Sequence, residues 1–187
     1  MTTAALLLAA GGGSRFRGGS HKLLAPLRGR PVVAHALAAV DAAGFDEVIV
    51  VLGAVDLAAS GLLPPAVTVV RNEHWSQGQA TSLQAGIAAA RRSGHDAVVV
   101  GLADQPFVTT EAWRAVAASS GPVAVATYGG RRRNPVKLAA EVWDMIASTG
   151  DEGARSLMRA RPDLVAEVPV AGDPGDIDTV EDLRTWN

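Results

Sequence analysis

The chain has 187 residues, which favours one domain. Hydrophobic residues make up 48% and charged residues 19%, so the chain can build a sizeable core and is too apolar for a disordered protein. A net charge of −2 argues against a general nucleic-acid or acidic-membrane binder, and the absence of cysteine excludes disulfides, thiolate zinc sites and cysteine nucleophiles. The N-terminal apolar run lacks a basic segment and is far shorter than a membrane span, so we expect a cytoplasmic protein.

Short apolar runs alternate with Ala-rich segments, and Gly or Pro separates them. The apolar runs predict strands at residues 5–8, 47–52, 67–70, 97–102, 123–127 and 165–170. The segments between them predict helices at residues 31–43, 81–92, 111–118, 141–146, 152–161 and 180–186. Strands that are apolar throughout are buried on both faces, and ligands of such sheets bind beyond the carboxyl ends of the strands. We therefore predict an α/β fold, a single-domain, Rossmann-like, doubly wound and mostly parallel sheet over residues 1–187.

A Gly-rich loop follows the first strand in the sequence LAAGGGSRFRGGSHKLL. Backbone N–H groups of such a loop can approach an anion closely, and a following basic side chain can neutralise it. The dinucleotide fingerprint fails because Phe16 stands where its third Gly belongs, and the P-loop pattern fails because His21 precedes Lys22. The alternative is a flexible loop with solvated basic groups. Lys22 favours the anion site, because it is one of two lysines in an Arg-rich chain and a compact ammonium suits phosphate.

Two carboxylates are candidate ligands of Mg²⁺. Asp104 follows the predicted strand at 97–102, where it would face the crevice of the sheet, although an Asp before Pro106 can also cap a turn. Asp178 precedes Thr179 and Asp182, which have the spacing of a capping box. Asp178 either favours the dipole of that helix or completes a metal site with Asp104, and the sequence leaves both open.

Three further segments carry polar side chains. Residues 72–83 form either a wall for a nucleobase or ribose or a plain junction between strand and helix. Residues 131–134 are a short basic run predicted in a loop, which is either solvated or grips an anionic acceptor. Residues 150–155 are predicted to open a helix with two acids in its first turn, and His21 is expected at the surface or behind the site. No Ser stands in the Gly-x-Ser-x-Gly pattern that acyl transfer would favour.

Six motifs in order resemble one family over nearly the whole chain. They are LAAGGGSRFRGGSHKLLAPLRGRPVV, NEHWSQGQATSLQAGI, LADQP, NPV, GDEGAR and DIDTVEDL. Together they resemble the MobA-like nucleotidyltransferases, and within them the molybdenum cofactor cytidylyltransferase branch. The resemblance implies a Mg²⁺-dependent reaction in which a phosphate acceptor attacks the α-phosphate of a nucleoside triphosphate (NTP) and pyrophosphate leaves.

The resemblance also implies roles for individual residues. The implied catalytic residues are Arg15, Lys22 and Asp104, and the implied metal ligands are Asp104 and Asp178. The implied nucleotide-binding residues, besides Arg15 and Lys22, are Ala9, Ala10, Gly11, Gly12, Gly13, Ser14, Asn72, Gly78 and Ser82. The implied acceptor-binding residues are Arg133, Asn134, Asp151 and Arg155.

The Ala-Ala-Gly form of residues 9–11 resembles the cytidine-selecting version of the loop, so CTP is the expected donor. The expected acceptor is molybdopterin carrying molybdate, and a molybdoenzyme that receives the cofactor is an implied partner. Two departures bear on this resemblance. Arg17 looks like an insertion, which leaves open whether Arg15 or Arg17 contacts the nucleotide. Asn134 stands where the branch often has His.

Three other functions remain open at this stage. One is a nucleotidyltransferase that acts on a sugar or polyol phosphate, because one fold hosts several functions through varied loops. Another is an NAD(P)H-dependent oxidoreductase of the nicotine blue oxidoreductase type, against which the missing dinucleotide fingerprint counts. The third is binding of a pterin cofactor without turnover, which the presence of Lys22 and Asp104 disfavours.

Overall fold

The computed structural model describes residues 1–187 as nine strands and five α-helices. The strands are β1 (Thr3–Ala9), β2 (Pro26–Leu27), β3 (Arg30–Pro31), β4 (Glu47–Leu52), β5 (Thr68–Arg71), β6 (Ala97–Leu102), β7 (Val123–Tyr128), β8 (Arg131–Ala139) and β9 (Val165–Pro169). The α-helices are α1 (Val32–Ala43), α2 (Gln79–Arg92), α3 (Thr110–Ala117), α4 (Ala154–Ala160) and α5 (Val180–Trp186). No helix combines the length and apolar character needed to cross a membrane.

Seven strands form one twisted sheet in the order β5-β4-β1-β6-β8-β7-β9. The pairs β5-β4, β4-β1, β1-β6 and β7-β9 are parallel, whereas β8 is antiparallel to both of its neighbours. Six strands therefore run in one direction and only β8 opposes them, which confirms the predicted mostly parallel α/β sheet. The loops after β1, β4, β5, β6, β7 and β9, together with the start of β8, meet at one edge of the sheet.

Both faces of the sheet are covered, which explains the unbroken apolar strands. In β1, Ala5 and Leu7 pack with α1 and α3 on one face, whereas Leu6 and Leu8 pack with α2 and α4 on the other. Successive side chains of a strand point to opposite faces, so a central strand between two helical layers must be apolar at every position.

The structure corrects the prediction of a basic loop at residues 131–134, because these residues begin strand β8. A two-residue turn, Gly129-Gly130, joins β7 to β8, and both glycines have positive φ. Such a pair between two strands is a hairpin signal that the arginine run obscured. The register between β7 and β8 shifts at Asn134 and Pro135, so neither residue pairs with β7. Proline has no N–H to donate to a strand ladder. The register shift therefore leaves Pro135 outside the pairing with β7.

Smaller differences concern the bounds and type of three helical segments. Residues 140–145 form 3₁₀ turns where an α-helix over 141–146 is predicted. Helix α4 begins at Ala154, two residues later than predicted, so Asp151 and Glu152 precede it and do not occupy its first turn. Helix α2 begins at Gln79, two residues earlier than predicted.

The C-terminus is fastened to the short β2-β3 hairpin. The Asn187 side-chain oxygen accepts a hydrogen bond from the Arg28 backbone N–H at 2.7 Å, and Arg28 Nε donates to the Trp186 carbonyl at 2.9 Å. The ring of Trp186 packs on Phe107 at a centroid distance of 4.4 Å. The hairpin follows Lys22 in the chain and α5 follows Asp178, so these contacts fix the two site segments relative to each other.

We predict that Gly101→Ala destabilises the fold by about 1–3 kcal/mol, the usual cost of overpacking. A Cβ at Gly101 would lie 2.5 Å from two ring atoms of Trp113, which is almost fully buried and cannot move aside. Urea denaturation measures the change. Gly19→Ala is the control, because nothing lies within 4 Å of its Cβ position, and an equal loss in both variants would contradict the packing argument.

Candidate functional site

The Gly-rich loop after β1 is held in place by His21. The Leu23 N–H donates to His21 Nδ1 at 3.3 Å, so the ring proton lies on Nε2, which donates to the Gly11 carbonyl at 3.0 Å. Gly13 has φ +60°, and a Cβ there would lie 3.1 Å from His21 Nε2. Burial lowers the pKa of His21, with a smaller contribution from the Lys22 charge. The neutral ring thus fixes the exposed loop.

The centre of the site is a cluster of two carboxylates and two basic groups. Lys22 Nζ donates to Asp104 Oδ2 at 2.5 Å and to Asp178 Oδ1 at 2.8 Å. Arg15 approaches Asp178 Oδ2 at 2.9 Å. Burial alone would lower the pKa of the Lys22 ammonium, but attraction and hydrogen bonds to Asp104, followed by those to Asp178, raise it. Lys22 therefore carries a full charge at neutral pH.

The backbone brings these groups together from distant parts of the chain. Lys22 lies on a 3₁₀ turn (Lys22–Leu24), and Asp104 lies two residues after the end of β6. The Ile177 N–H donates to the Asp104 carbonyl at 2.9 Å, which holds the segment before α5 against the end of β6. Asp178 is consequently carried into contact with Lys22.

The segment before α5 contains the predicted helix cap, and the Asp178 carboxylate lies outside that cap; a metal-ligand role for Asp178 stays a prediction. Thr179 and Asp182 form the predicted capping box, with the Asp182 N–H donating to Thr179 Oγ1 at 3.1 Å and the Thr179 N–H donating to Asp182 Oδ2 at 2.8 Å. The Asp178 carboxylate takes no part in the cap and instead meets Lys22 and Arg15. Arg15 is thus the loop arginine that reaches this cluster, since Arg17 forms no ion pair.

The carboxylates have the chemistry of a site for a hard divalent cation. Asp104 Oδ1 is buried and has no hydrogen-bond partner, which is costly unless another group binds it. No third Asp, Glu, His or Cys joins the pair in metal-binding geometry. One or two carboxylates with substrate phosphates completing the shell is the usual mode for Mg²⁺, so the residues present fit such an ion.

A cavity of 610 Å³ lies between the sheet and helices α2 and α4, and it adjoins this cluster through Gln105 and Asp176, whereas the four cluster residues do not line it. Its floor consists of side chains from β1, β6, β7 and β8, and its polar lining includes Arg133, Asn134 and Arg155. Neither Arg133 nor Arg155 forms an ion pair with a protein carboxylate, so both guanidinium groups are available to an anion. Three of the four predicted acceptor-binding residues therefore meet in one cavity.

Gln105 and Asp176 also line the cavity, and neither was predicted as a site residue. Asn134 Nδ2 donates to Gln105 Oε1 at 3.1 Å, and Gln105 Nε2 donates to Asp176 Oδ1 at 2.6 Å. Partial withdrawal from water raises the pKa of Asp176, and the negative charge of Asp104 raises it further to a smaller degree. Gln105 follows Asp104 in the chain, and this direct adjacency is the signal that could have found it.

The structure does not bring Asp151 into the cavity. Its carboxylate instead lies at the first turn of α2, where Oδ1 accepts a long hydrogen bond of 3.4 Å from the Gln79 N–H. Gly78, at the same turn, has φ +112°, and a Cβ there would lie 2.5 Å from the Gly150 carbonyl oxygen. These contacts fasten the loop before α2 to the loop before α4, and acceptor binding by Asp151 stays a prediction.

Asn72 and Ser82 are buried and bonded to each other. Asn72 Nδ2 donates to Ser82 Oγ and to Thr81 Oγ1, both at 2.9 Å, and its oxygen accepts from the His74 N–H at 2.9 Å. Their hydrogen-bonding groups thus shape the loop, and a contact with nucleotide stays a prediction for both. Trp75 belongs to one of the six motifs but was not predicted as a site residue. Its ring lies against Gly12, where a Cβ would be 2.9 Å from Trp75 Cζ3.

Comparison with known proteins identifies the family of this chain. The family model of the MobA-like NTP transferase domain matches residues 5–165, and the chain belongs to that family. A relative named "Nicotine blue oxidoreductase" from Paenarthrobacter nicotinovorans is 38% identical over 95% of this chain and 93% of its own length.

Solved structures of similar proteins share the fold of this chain. Rv0371c from Mycobacterium tuberculosis H37Rv superposes with a TM-score of 0.85 and 28% identity, over 99% of this chain and 96% of that one. The same protein has also been solved in complex with manganese, with a TM-score of 0.83 and 26% identity, over 100% of this chain and 98% of that one. "A nucleotidyl transferase" from Methanothermobacter thermautotroptrophicus gives a TM-score of 0.82 and 28% identity, over 99% and 96% of the two chains.

We predict that His21 makes the stability of the fold depend on pH. Its folded-state pKa is lowered from 6.5, so the unfolded chain binds more protons as the pH falls below about 6.5. The contribution of His21 is fully present above that pH and is lost as the pH falls through the folded-state pKa. Urea unfolding at a series of pH values measures it. His21→Gln should flatten the dependence in this window, and an unchanged slope would contradict the assignment.

Proposed function

We propose that this protein transfers a CMP group from CTP to a phosphate acceptor, molybdenum-bound molybdopterin, and releases pyrophosphate. The observation that carries the proposal is the cluster of Lys22, Arg15, Asp104 and Asp178 between a Gly-rich loop and a cavity with two unpaired arginines. Membership of the MobA-like family supports the reaction class. The Ala-Ala-Gly form of residues 9–11 supports CTP as donor.

The residues of the cluster divide the work of binding a triphosphate. Backbone N–H groups of residues 11–14, with Lys22 and Arg15, bind the phosphate oxygens and neutralise their charge. Asp104 and Asp178 would hold Mg²⁺, for which the manganese complex of Rv0371c is a precedent for a divalent cation in this fold. Bound Mg²⁺ would supply positive charge to the phosphate oxygens during transfer.

The reaction needs no protein nucleophile and no general base. An oxygen of the acceptor phosphate, which is already anionic, forms a bond to the α-phosphorus of CTP. The bond from that phosphorus to the bridging oxygen breaks, and the oxygen leaves with pyrophosphate. Catalysis then consists of alignment and charge stabilisation, which a loop, Lys22, Arg15 and a metal ion can supply.

The cavity supports an acceptor that combines an apolar body with an anionic group. Its floor contains apolar side chains, among them Leu8, Leu83 and Met158, while Arg133 and Arg155 offer charged donors at its wall. Guanidinium groups match phosphate in geometry and bind it with two parallel hydrogen bonds. A sugar or polyol phosphate is the alternative acceptor for the same site.

The resemblance to nicotine blue oxidoreductase supports a second candidate function, reduction of a substrate by NADH or NADPH. The dinucleotide fingerprint is absent from the loop after β1, where Phe16 replaces its third Gly. The two functions differ in the nucleotide bound, so a binding experiment separates them.

A thermal-shift screen with CTP, GTP, ATP, UTP, NADH and NADPH, with and without Mg²⁺, tests the donor. A ligand that binds the folded state raises the midpoint by mass action, so we expect the largest rise with CTP and Mg²⁺ together. A rise with NADH or NADPH and with none of the triphosphates would establish the oxidoreductase alternative instead.

The acceptor assignment predicts a selective kinetic effect. Arg133→Gln and Arg155→Gln should each raise the KM for the acceptor about 10- to 100-fold, the scale of a lost charge-assisted hydrogen bond, and leave CTP binding unchanged. Pyrophosphate release from CTP and molybdenum-bound molybdopterin measures the rate. Arg92→Gln, an exposed residue at the end of α2, is the control. Equal effects on CTP and acceptor would place the arginines elsewhere in the reaction.

A further inference from the structure

The ammonium of Lys22 lies where a divalent cation would bind. Asp104 and Asp178 present four carboxylate oxygens, and basic groups of the protein bind three of them: Lys22 Nζ binds Asp104 Oδ2 and Asp178 Oδ1, and Arg15 binds Asp178 Oδ2. Asp104 Oδ1 alone has no partner. The oxygens proposed to hold Mg²⁺ are therefore the ligands of Lys22 as well.

The two cations compete for these oxygens. Mg²⁺ requires its ligand oxygens at about 2.0–2.1 Å in nearly octahedral geometry. An ammonium 2.5 Å from Asp104 Oδ2 and 2.8 Å from Asp178 Oδ1 would then be only a few ångströms from the metal, where like charges repel strongly in a partly desolvated site. Lys22 must leave at least one carboxylate before both can bind a divalent cation.

Lys22 has little access to water as an alternative. Its side chain is 10% exposed, and those of Asp104 and Asp178 are 18% and 21% exposed. A charge in such a place needs a new anionic partner when it gives up an old one. The Gly-rich loop is the adjacent place for that partner, because Lys22 Cγ lies 3.5 Å from the Cβ position of Gly13.

We propose that Lys22 is a built-in counter-ion that blocks the metal site until a triphosphate binds, so that metal and nucleotide bind as a unit. This inference rests on the proposed function for the identity of the site. When the phosphates reach the loop, Lys22 moves its hydrogen bonds from the carboxylates to phosphate oxygens. Asp104 and Asp178 then become available to the cation that accompanies the nucleotide.

The proposal predicts that removing Lys22 improves metal binding while it weakens nucleotide binding. In the absence of nucleotide, Lys22→Met and Lys22→Gln should bind Mn²⁺ about 10- to 100-fold more tightly than the unaltered protein, because one charge-assisted competitor is gone. Electron paramagnetic resonance of free Mn²⁺ measures the affinity. Lys22→Arg keeps the positive charge and should bind Mn²⁺ as weakly as the unaltered protein.

The matched control is Lys137→Met, the other lysine of the chain. Lys137 is also buried, but it donates to the Ser119 carbonyl and forms no ion pair with a carboxylate. Its replacement should leave Mn²⁺ affinity unchanged. Mn²⁺ binding to Lys22→Met that is no tighter than to the unaltered protein would overturn the proposal. The titration contains no nucleotide, so its result does not depend on whether CTP is the donor.

A second measurement needs no substitution. The chain contains only two lysines, so protein labelled with ¹³C and ¹⁵N in lysine gives one side-chain signal set from the site and one reference set from Lys137. We expect Mg²⁺ alone to leave the Lys22 signals unchanged, and Mg²⁺ with CTP to shift them while the Lys137 signals stay. A full shift of Lys22 with Mg²⁺ alone would overturn the counter-ion role. A shift with another triphosphate in place of CTP would support that role and contradict only the proposed donor.

Discussion

The ammonium of Lys22 connects three segments that are far apart in the sequence. It joins the loop after the first strand to Asp104 at the end of β6 and to Asp178 before α5. Each of these carboxylates would repel the other without a cation between them, since both are largely withdrawn from water. The geometry of the site therefore depends on one positive charge.

The direction of the strands determines which residues can reach this charge. Six strands end at the same edge of the sheet, so the loops after β1, β5 and β6 and the segment after β9 converge there. Strand β8 runs the other way and begins at this edge, which brings Asn134 beside Gln105. Because β8 is reversed, its arginine-rich start forms a wall of the crevice. Parallel strands alone would line that crevice with the loops that follow them.

The sequence predicts the sheet well because its strands are buried on both faces. An apolar run such as 47–52 has one stable environment, between two helical layers, and the structure contains a strand with those bounds. Strand β8 escapes this reasoning because Arg131, Arg132 and Arg133 are exposed and Pro135 interrupts the ladder. The sequence signal for β8 is the Gly129-Gly130 turn. The positive φ angles of these glycines are a property of the backbone, which a search for apolar runs does not detect.

The candidate site is predicted in part for a similar reason. Lys22 and Asp104 stand directly after strands or their loops, so chain position alone brings them to the ligand edge. Asp178 required the structure, because the sequence cannot separate a helix cap from a charge partner when both use Asp and Thr. Gln105 and Asp176 were missed since their role arises from a hydrogen bond between segments 71 residues apart. Acceptor binding by Asp151 stays a prediction, because its carboxylate lies at the first turn of α2 and outside the cavity lining.

We propose that Asp104 and Lys22 belong to a metal-dependent triphosphate site. Calorimetric titration of CTP into the unaltered protein and into Asp104→Asn, with and without Mg²⁺, tests this role. We expect CTP to bind tightly only to the unaltered protein in the presence of Mg²⁺, and either the substitution or removal of the metal to weaken binding. CTP binding of equal strength in all four titrations, or none in any, would contradict it.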